Sequence, residues 1–269
     1  MKKIIVPVVL SGVLVLTACG SNPAQKHTVA TDSAVASATA VAAADTLAYT
    51  MQHESGAGDS VAWKGGEPHC SISYPVFKNV PAPLKDSLAV IYHNIVFDGY
   101  ATAAEKIKSF TGGDPDAEED GASMTHWFDT KKVEVLINNE RMLTLSVWME
   151  TYLGGAHGMA GQWFLNLDKA TGKTITLQDV ATNLHALAAV NETYFKKEQQ
   201  IDPKQPVKDA PGMLLDTDTL PLPAQFTFTR EGLHMFYNLY EVMPYAAGMT
   251  DYVIPYSALD KILKPGFKQ

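Results

Sequence analysis

The residues best suited to chemistry are a histidine and its neighbouring glycines in the stretch Thr151-Tyr-Leu-Gly-Gly-Ala-His-Gly-Met-Ala-Gly161. Glycine reaches positive φ without a Cβ clash, so Gly154, Gly155 and Gly158 predict a sharp turn that closely approaches neighbouring backbone. Histidine in such a turn can act as a general base, bind a metal or bind a ligand. Because the sequence shows no partner group, we expect the glycines to shape a tight connection, with His157 held by backbone groups or contributing to a ligand surface.

Familiar catalytic motifs are absent from the sequence, which has no His-Glu-x-x-His, Gly-x-Ser-x-Gly, phosphate loop or Rossmann fingerprint. His126 is near Asp129 and His157 is near Glu150, but catalysis needs a nucleophile or metal in contact with a base. The histidines are too scattered for a zinc site, and the acidic run 114–121 lacks the alternating ligands of a calcium loop. We therefore predict no catalytic residue, no metal and no cofactor. The alternative is a cell-wall hydrolase or deacetylase using His157, because catalytic triads need not be adjacent in sequence.

A second segment, Tyr240 to Gly248, also interrupts a strand pattern, with Pro244 and Gly248 as the interrupting residues. We predict that it lies beside the histidine loop although more than eighty residues separate the two. Glu241 would then accept a hydrogen bond from His157, and the ring of Tyr245 would pack over the glycines. The candidate ligand-binding residues are Tyr152, Gly154, Gly155, His157, Gly158, Tyr240, Glu241 and Tyr245.

The N-terminus has the pattern of an export signal, with a basic start followed by the apolar run 4–16, which is too short for a mature membrane-spanning helix. The run ends in Leu16-Thr-Ala-Cys19, which resembles the lipobox of bacterial lipoproteins. We predict that residues 1–18 are a signal peptide and that Cys19 carries the lipid; the alternative is an ordinary secretory signal. Two or three acyl chains would give a stable anchor. The absence of an acidic patch after Cys19 favours the outer membrane, facing the periplasm.

Composition is that of a globular protein, with 46% hydrophobic and 19% charged residues in a chain of 269. Removal of residues 1–18 takes away two of 21 basic side chains and no acid, which leaves 19 basic and 29 acidic side chains, a net charge of −10. This charge argues against nucleic acid as a partner and favours a cationic one. Cys70 is the second of two cysteines, so we expect no internal disulfide and a small apolar role for its side chain.

The chain divides into a tether and two folded parts. Residues 19–48 are rich in Ala, Ser and Thr and predict a tether, with an Ala-rich helix as the alternative. Residues 49–125 predict a small α/β part, with a strand at 71–77 and a helix whose apolar face is formed by Leu84, Leu88, Ile91 and Ile95. Residues 126–269 form the larger C-terminal part.

The C-terminal part is rich in strands. The alternation from Arg141 to Tyr152 predicts a strand with one buried face, followed by a hairpin of strands 162–168 and 173–177. A helix is predicted at 183–200, and strands follow at 225–229 and 233–240. Strands and helices are interspersed along the chain but do not alternate regularly as in βαβ units. We therefore predict an α+β fold with a mainly antiparallel sheet and packed helices.

Several motifs in order resemble the extracellular domain of the RsiV-like family. They are Tyr152–Gly158, Asn166–Lys173, Phe226–Leu233, Tyr240–Gly248 and Val253–Ser257. The resemblance covers roughly residues 133–263, and residues 49–123 resemble the family's smaller partner region only loosely. The family includes a lysozyme-sensing membrane anti-sigma factor, and its domain also accompanies a peptidoglycan deacetylase.

The resemblance implies a non-catalytic binding module of the cell envelope. The sequence shows no cytoplasmic anti-sigma region, spanning helix or deacetylase domain, so we do not carry over sigma-factor signalling or deacetylation. We expect a lipid-anchored protein that binds a protein such as lysozyme, or a cell-wall glycan such as peptidoglycan.

Overall fold

A computed structural model describes residues 46–59, 67–112 and 126–267, all within one compact unit. The predicted signal peptide, Cys19 and nearly all of the predicted tether lie outside these residues, as does the acidic run. The strands are β1 Tyr49–Ala57, β2 His69–Phe77, β3 Phe128–Asn138, β4 Met142–Tyr152, β5 Met159–Asp168, β6 Gln225–Phe228, β7 Gly232–Tyr237 and β8 Thr250–Pro255. The α-helices are α1 Ala82–Ile91, α2 Ala103–Thr111, α3 Leu177–Val180, α4 Leu184–Glu198 and α5 Tyr256–Leu259.

The described strands form two sheets, one with the order β1-β2-β3-β4-β5 and one with the order β6-β7-β8. Every pairing is antiparallel except that of β2 with β3, which is parallel. Parallel strands need a long crossover, and the segment carrying α1 and α2 supplies it. The predicted α+β class with mainly antiparallel sheet is confirmed. The predicted domain boundary after residue 125 is at the edge of an undescribed segment, and strands from both sides of it share the first sheet.

The predicted helix after β2 is confirmed, and Leu84, Leu88 and Ile91 are buried beneath the first sheet. Its end differs from the regular α-helical period. The last turn, Tyr92–Val96, is a π-helix in which the Phe97 N–H donates to the carbonyl of Tyr92, five residues earlier.

Strand β4 departs from the expectation of one buried face. Leu143, Leu145 and Val147 pack into the core with α1 and α2, but Thr144 and Ser146 on the opposite face are buried as well. The reason is that the second sheet lies close to this face, where the Asn166 side chain receives a 3.0 Å hydrogen bond from Thr144 and donates a 2.8 Å bond to the carbonyl of Phe226.

Only the first residues of the predicted hairpin partner at 173–177 pair with β5. The N–H of Asp168 donates to the carbonyl of Lys173, 2.9 Å, and the N–H of Ile175 donates to the carbonyl of Asn166, 2.7 Å. Thr174 makes a single bridge with Leu167, and the chain then enters the short helix α3. The carboxylate of Asp179 accepts hydrogen bonds from the backbone N–H of Thr176, 2.8 Å, and from its hydroxyl, 2.7 Å. This capping interaction starts a helix where a strand was expected.

The second core lies between β6–β8 and α4, which begins after Asn183, whose side chain accepts a hydrogen bond from the N–H of Ala186. At its centre Tyr252 Oη donates to Asn191 Oδ1 and Asn191 Nδ2 donates to Tyr237 Oη, both at 2.8 Å. Tyr237 Oη donates in turn to the carbonyl of Pro221, 2.7 Å. These bonds satisfy the buried side chain of Asn191 and help to hold α4 over the second sheet.

Side chains from the second sheet region close the outer edge of β5. The N–H of Gln162 donates to Asn238 Oδ1, 2.7 Å, and Asn238 Nδ2 donates to the carbonyl of Gln162, 3.0 Å. The N–H of Phe164 donates to Gln225 Oε1, 2.8 Å. The two sheets are therefore joined by amide side chains that take the place of a neighbouring strand.

Among the described helices, none has the length and apolar character needed to cross a bilayer.

Candidate functional site

The histidine loop connects β4 to β5, and its shape depends on glycine. Gly154 and Gly155 have φ values of 93° and 86°, in the region that favours glycine. At Gly158 a Cβ would lie 2.7 Å from the carbonyl oxygen of Thr151, so the site has room only for glycine. The hydroxyl of Tyr152 donates to the carbonyl of Gly155, 3.0 Å, and closes the loop.

The loop meets the Tyr240 to Gly248 segment as predicted. The rings of His157 and Tyr245 are stacked, with centroids 3.8 Å apart and planes 19° from parallel. Tyr245 opens a 3₁₀ turn, Tyr245–Ala247, which is preceded by Pro244 and ends at Gly248 with a φ of 80°. The residues that interrupt the strand pattern therefore place the tyrosine ring against the imidazole.

The predicted hydrogen bond between His157 and Glu241 is absent among the described contacts. Glu241 Oε2 instead accepts from the N–H of Asn238, 3.0 Å, three residues earlier in the same turn. His157 Nδ1 lies 2.9 Å from the carbonyl oxygen of Gly158. Because a carbonyl oxygen only accepts, Nδ1 carries the hydrogen, which leaves Nε2 as the acceptor of the neutral ring.

Tyr240 adds a third ring, 6.0 Å from that of Tyr245. Its side chain is 47% exposed and its φ is +66°, which is an outlier for a bulky residue. Backbone strain of this kind clusters at functional sites. We call His157, Tyr240 and Tyr245 the aromatic cluster. Leu153 precedes the histidine on the same loop and Met159 follows it at the start of β5, and both side chains are exposed.

The aromatic cluster is suited to stacking and hydrogen bonding. His157 contacts a backbone carbonyl and a tyrosine ring, and neither contact is an activated nucleophile. Within the residues that the structure describes, no group of three or more His, Cys, Asp or Glu side chains is arranged to hold a metal ion.

The sequence analysis did not predict a groove that the structure shows on the first sheet. It has a volume of about 440 Å³ and is lined by polar side chains of β1–β3 that share one face, including His53, Ser55, His69, Ser71, Ser73 and Thr130. Ser71 Oγ donates to Thr130 Oγ1, 3.2 Å, across the parallel pair of strands. The alternation of His69, Ser71 and Ser73 in β2 is the signal that marks this face.

The opposite face of the same sheet carries a buried charge cluster. Lys106 contacts Asp98 and also Asp129, with 2.8 Å to Asp129 Oδ2, while Lys131 contacts Asp98 and donates to the carbonyl of Ile95, 2.7 Å. Burial alone would lower the pKa of Lys106, but hydrogen bonds to Asp129 and Asp98 raise it above its usual range. Burial lowers the pKa of Lys131, despite its hydrogen bond to Asp98. Cys70 packs in the core as the predicted small side chain, and burial raises the pKa of its thiol to about 11.

Comparison with known families shows a match for residues 173–257 to a family model described as a protein of unknown function, DUF3298. The matched region includes α3, α4, β6–β8 and the Tyr240 to Gly248 segment, whereas the histidine loop precedes it. The aromatic cluster is therefore formed by the region that matches the DUF3298 model together with a loop of the first sheet.

Two solved structures of DUF3298 family proteins share the fold. One, from Bacteroides fragilis, has a TM-score of 0.63 at 20% identity and covers 81% of this chain and 94% of its own. Another, from Pseudomonas aeruginosa, has a TM-score of 0.58 at 19% identity, and the match covers 82% of this chain and 96% of the other. At these identities the likeness establishes the fold alone. A search of curated proteins found no match.

Proposed function

We propose that this protein is a lipid-anchored component of the bacterial cell envelope that binds its ligand, without catalysis, through the aromatic cluster. The ligand is a cell-wall glycan such as peptidoglycan, or a protein such as lysozyme. The observation that carries the proposal is the stack of His157 on Tyr245 beside the exposed ring of Tyr240, a residue with a strained, left-handed backbone.

A glycan is the occupant that the chemistry of the cluster favours most directly. Aromatic rings offer flat apolar faces, and their polar edges hydrogen-bond, which suits the alternating apolar faces and hydroxyl edges of sugar rings. His157 Nε2 can accept a hydrogen bond from a hydroxyl, because Nδ1 is engaged with Gly158.

A basic protein is the second occupant, and two observations favour it. Leu153 and Met159, which are close to His157 in sequence, are exposed apolar side chains of the kind found in protein interfaces. The net charge of −8 for the full chain would steer a cationic protein towards it. The resemblance to the RsiV-like family supports lysozyme as the protein to test.

Binding assays with residues 20–269, which retain the whole compact unit, test the proposal. The protein is sedimented with insoluble peptidoglycan and captured on immobilised lysozyme, and release of sugar or acetate is measured on the same peptidoglycan. We expect binding to one ligand without turnover, and an affinity loss of tenfold or more in His157→Ala and Tyr245→Ala. Tyr100→Ala removes an exposed tyrosine between α1 and α2 and is the matched control.

Two results would contradict the proposal. Equal binding by the wild type and both cluster variants would exclude the aromatic cluster as the binding surface. Turnover that His157→Ala abolishes would instead support the alternative of a hydrolase or deacetylase that uses His157.

The membrane anchor is tested separately through Cys19, which lies outside the described residues. Lipoprotein processing attaches the lipid to the cysteine of the lipobox, so Cys19→Ser should lack the lipid and leave the outer-membrane fraction. Mass spectrometry of the mature protein and fractionation measure both effects. Unchanged mass and fractionation would show that Cys19 is not the lipidated residue.

A further inference from the structure

Strand β1 is an edge of the first sheet with one row of backbone groups facing outward. The carbonyl of Ala48 accepts from the N–H of Lys78, and the N–H of Gly58 donates to the carbonyl of Pro68, both at 2.8 Å. With Tyr49 opposite Phe77, this alternation assigns the even-numbered residues of β1 to the bonds with β2. The N–H and C=O groups of the odd-numbered residues therefore point away from the sheet. These residues are Tyr49, Met51, His53, Ser55 and Ala57.

Within the described part of the chain, no group pairs with this outward row. The opposite edge of the sheet differs, because Asn238 and Gln225 cover the backbone of β5. Strand β1 is nine residues long, has no proline and has Glu54 as its one acidic or basic residue besides His53. Proteins that avoid edge pairing place prolines, lysines or bulges on such strands, and β1 has none of these.

We infer that this edge pairs with the β1 edge of a second copy of the chain, in an antiparallel and two-fold symmetric arrangement centred on His53. An isologous contact needs a surface that is complementary to itself. In this register all nine residues overlap, and the five outward-facing residues of each copy form pairs that exchange about ten hydrogen bonds. The two sheets then form one continuous sheet.

The negative charge of Glu54 favours the register centred on His53 over the register centred on Glu54. Centring on His53 places Glu54 opposite Gln52 of the second copy, where the amide of Gln52 can donate to the carboxylate. The Glu54 carboxylate is already held by the hydroxyl of Tyr74, which donates to it at 2.7 Å. A shift that centres on Glu54 would put two carboxylates face to face.

The sizes of the side chains agree with the same register. Tyr49 and Met51 are 41% and 37% exposed, and they would lie opposite Ala57 and Ser55 of the second copy. Each large side chain therefore meets a small one. Pairing would cover part of both exposed apolar side chains, which adds a hydrophobic contribution to the backbone bonds.

Sedimentation velocity of residues 20–269 over a hundredfold concentration range tests the inference. We expect a concentration-dependent dimer and at least tenfold weaker association for Met51→Pro, which removes an outward N–H and no bond to β2. Far-ultraviolet circular dichroism shows whether Met51→Pro keeps the fold. His53→Asp is a second variant that places two carboxylates at the axis, changes an exposed side chain and should also weaken association.

Cysteine cross-linking tests the register. Residues in a hydrogen-bonded pair have Cα atoms about 5.5 Å apart, within disulfide range. His53→Cys should therefore form a disulfide-linked dimer on mild oxidation, whereas Met51→Cys should not, and the double variant Met51→Cys with Ser55→Cys should. Background from Cys70 is low because it is buried.

Three outcomes would overturn the inference: a monomer at every concentration, a dimer that neither Met51→Pro nor His53→Asp weakens, or cross-linking by Met51→Cys and not by His53→Cys. A peptide of another protein found bound in place of the second copy, by native mass spectrometry, would also overturn it. None of these measurements depends on ligand binding by the aromatic cluster.

Discussion

The side-chain amide of Asn238 forms two hydrogen bonds with the backbone of Gln162, one to its N–H at 2.7 Å and one to its carbonyl at 3.0 Å. A single amide therefore satisfies both outward groups of one residue on strand β5. The same residue, Asn238, follows β7 and donates its own N–H to Glu241 in the turn beside the aromatic cluster. This contact links the first sheet, the second sheet and the candidate site.

Asn238→Asp should destabilise the protein, because a carboxylate keeps the acceptor for the Gln162 N–H but opposes the Gln162 carbonyl. We expect a loss of about 1 to 3 kcal/mol in the free energy of unfolding. Asn139→Asp is the matched control, since Asn139 Oδ1 only accepts, from the N–H groups of Arg141 and Met142. Urea unfolding measures both, and equal losses would contradict this role of Asn238.

Asp98→Asn should destabilise the protein at neutral pH by removing the carboxylate that Lys106 and Lys131 share. Asparagine tolerates the left-handed backbone at this position, φ 50°, so the change tests charge. Removing one partner of a buried ion pair is costly, and partial exposure of Asp98 reduces the expected loss to about 2 kcal/mol.

The pH dependence of this loss follows from the pKa of Asp98. Burial alone would raise that pKa, but hydrogen bonds from Lys106 and Lys131 hold it below its usual range. A lowered pKa contributes stability above the unfolded value of about 3.9, and that contribution is lost as the pH falls through the folded value. The difference between wild type and Asp98→Asn should therefore be full at pH 7 and smaller at pH 3. A difference that stays constant would contradict the proposed pairing.

Gly172→Ala should cost far more than Gly99→Ala, although both glycines have positive φ, 72° and 88°. Each substitution carries the backbone strain, about 1 kcal/mol. At Gly172 a Cβ would also lie 2.2 Å from the carbonyl oxygen of Pro83, whereas at Gly99 it meets nothing within 4 Å. We expect the Gly172 variant to lose at least about 2 kcal/mol more, measured by urea unfolding. Similar losses would show that the backbone at the start of α1 can shift away from a Cβ at position 172 at little cost in stability.

Tyr240→Gly should separate stability from binding. Glycine relieves the left-handed strain, so stability should be unchanged or higher by up to about 1 kcal/mol, while the lost ring should weaken ligand binding tenfold or more. Gln200→Gly is the matched control, because Gln200 is exposed, lies just after α4 and has a φ of 55°. Thermal unfolding and the peptidoglycan and lysozyme assays measure the two effects. Equal binding by both variants would remove Tyr240 from the site.

Periodicity predicted the elements whose contacts are regular along the chain. The spacing of Leu84, Leu88 and Ile91 located α1, and strand interruptions correctly brought His157 and Tyr245 together. The hydrogen bond to Glu241 was wrong because a residue three positions earlier, Asn238, satisfies that carboxylate locally.

Contacts between distant polar residues escaped prediction for a different reason. The burial of Thr144 depends on Asn166 and on the second sheet, and the burial of Lys106 and Lys131 depends on Asp98. A polar side chain in a strand or helix usually indicates solvent, so its burial becomes visible only when its partner is known. The outward row of β1 likewise depends on which residues pair with β2.

The parallel junction of β2 with β3 sets the order in which the first sheet can assemble. β1 with β2, and β3 with β4 and β5, are joined by neighbouring antiparallel pairs, so each group has mostly short loops to close. Joining β2 to β3 requires closure of a much longer loop, and its entropy cost makes this a late step. During synthesis from the N-terminus, a β1–β2 hairpin that forms before β3 emerges would have both of its edges open to other chains.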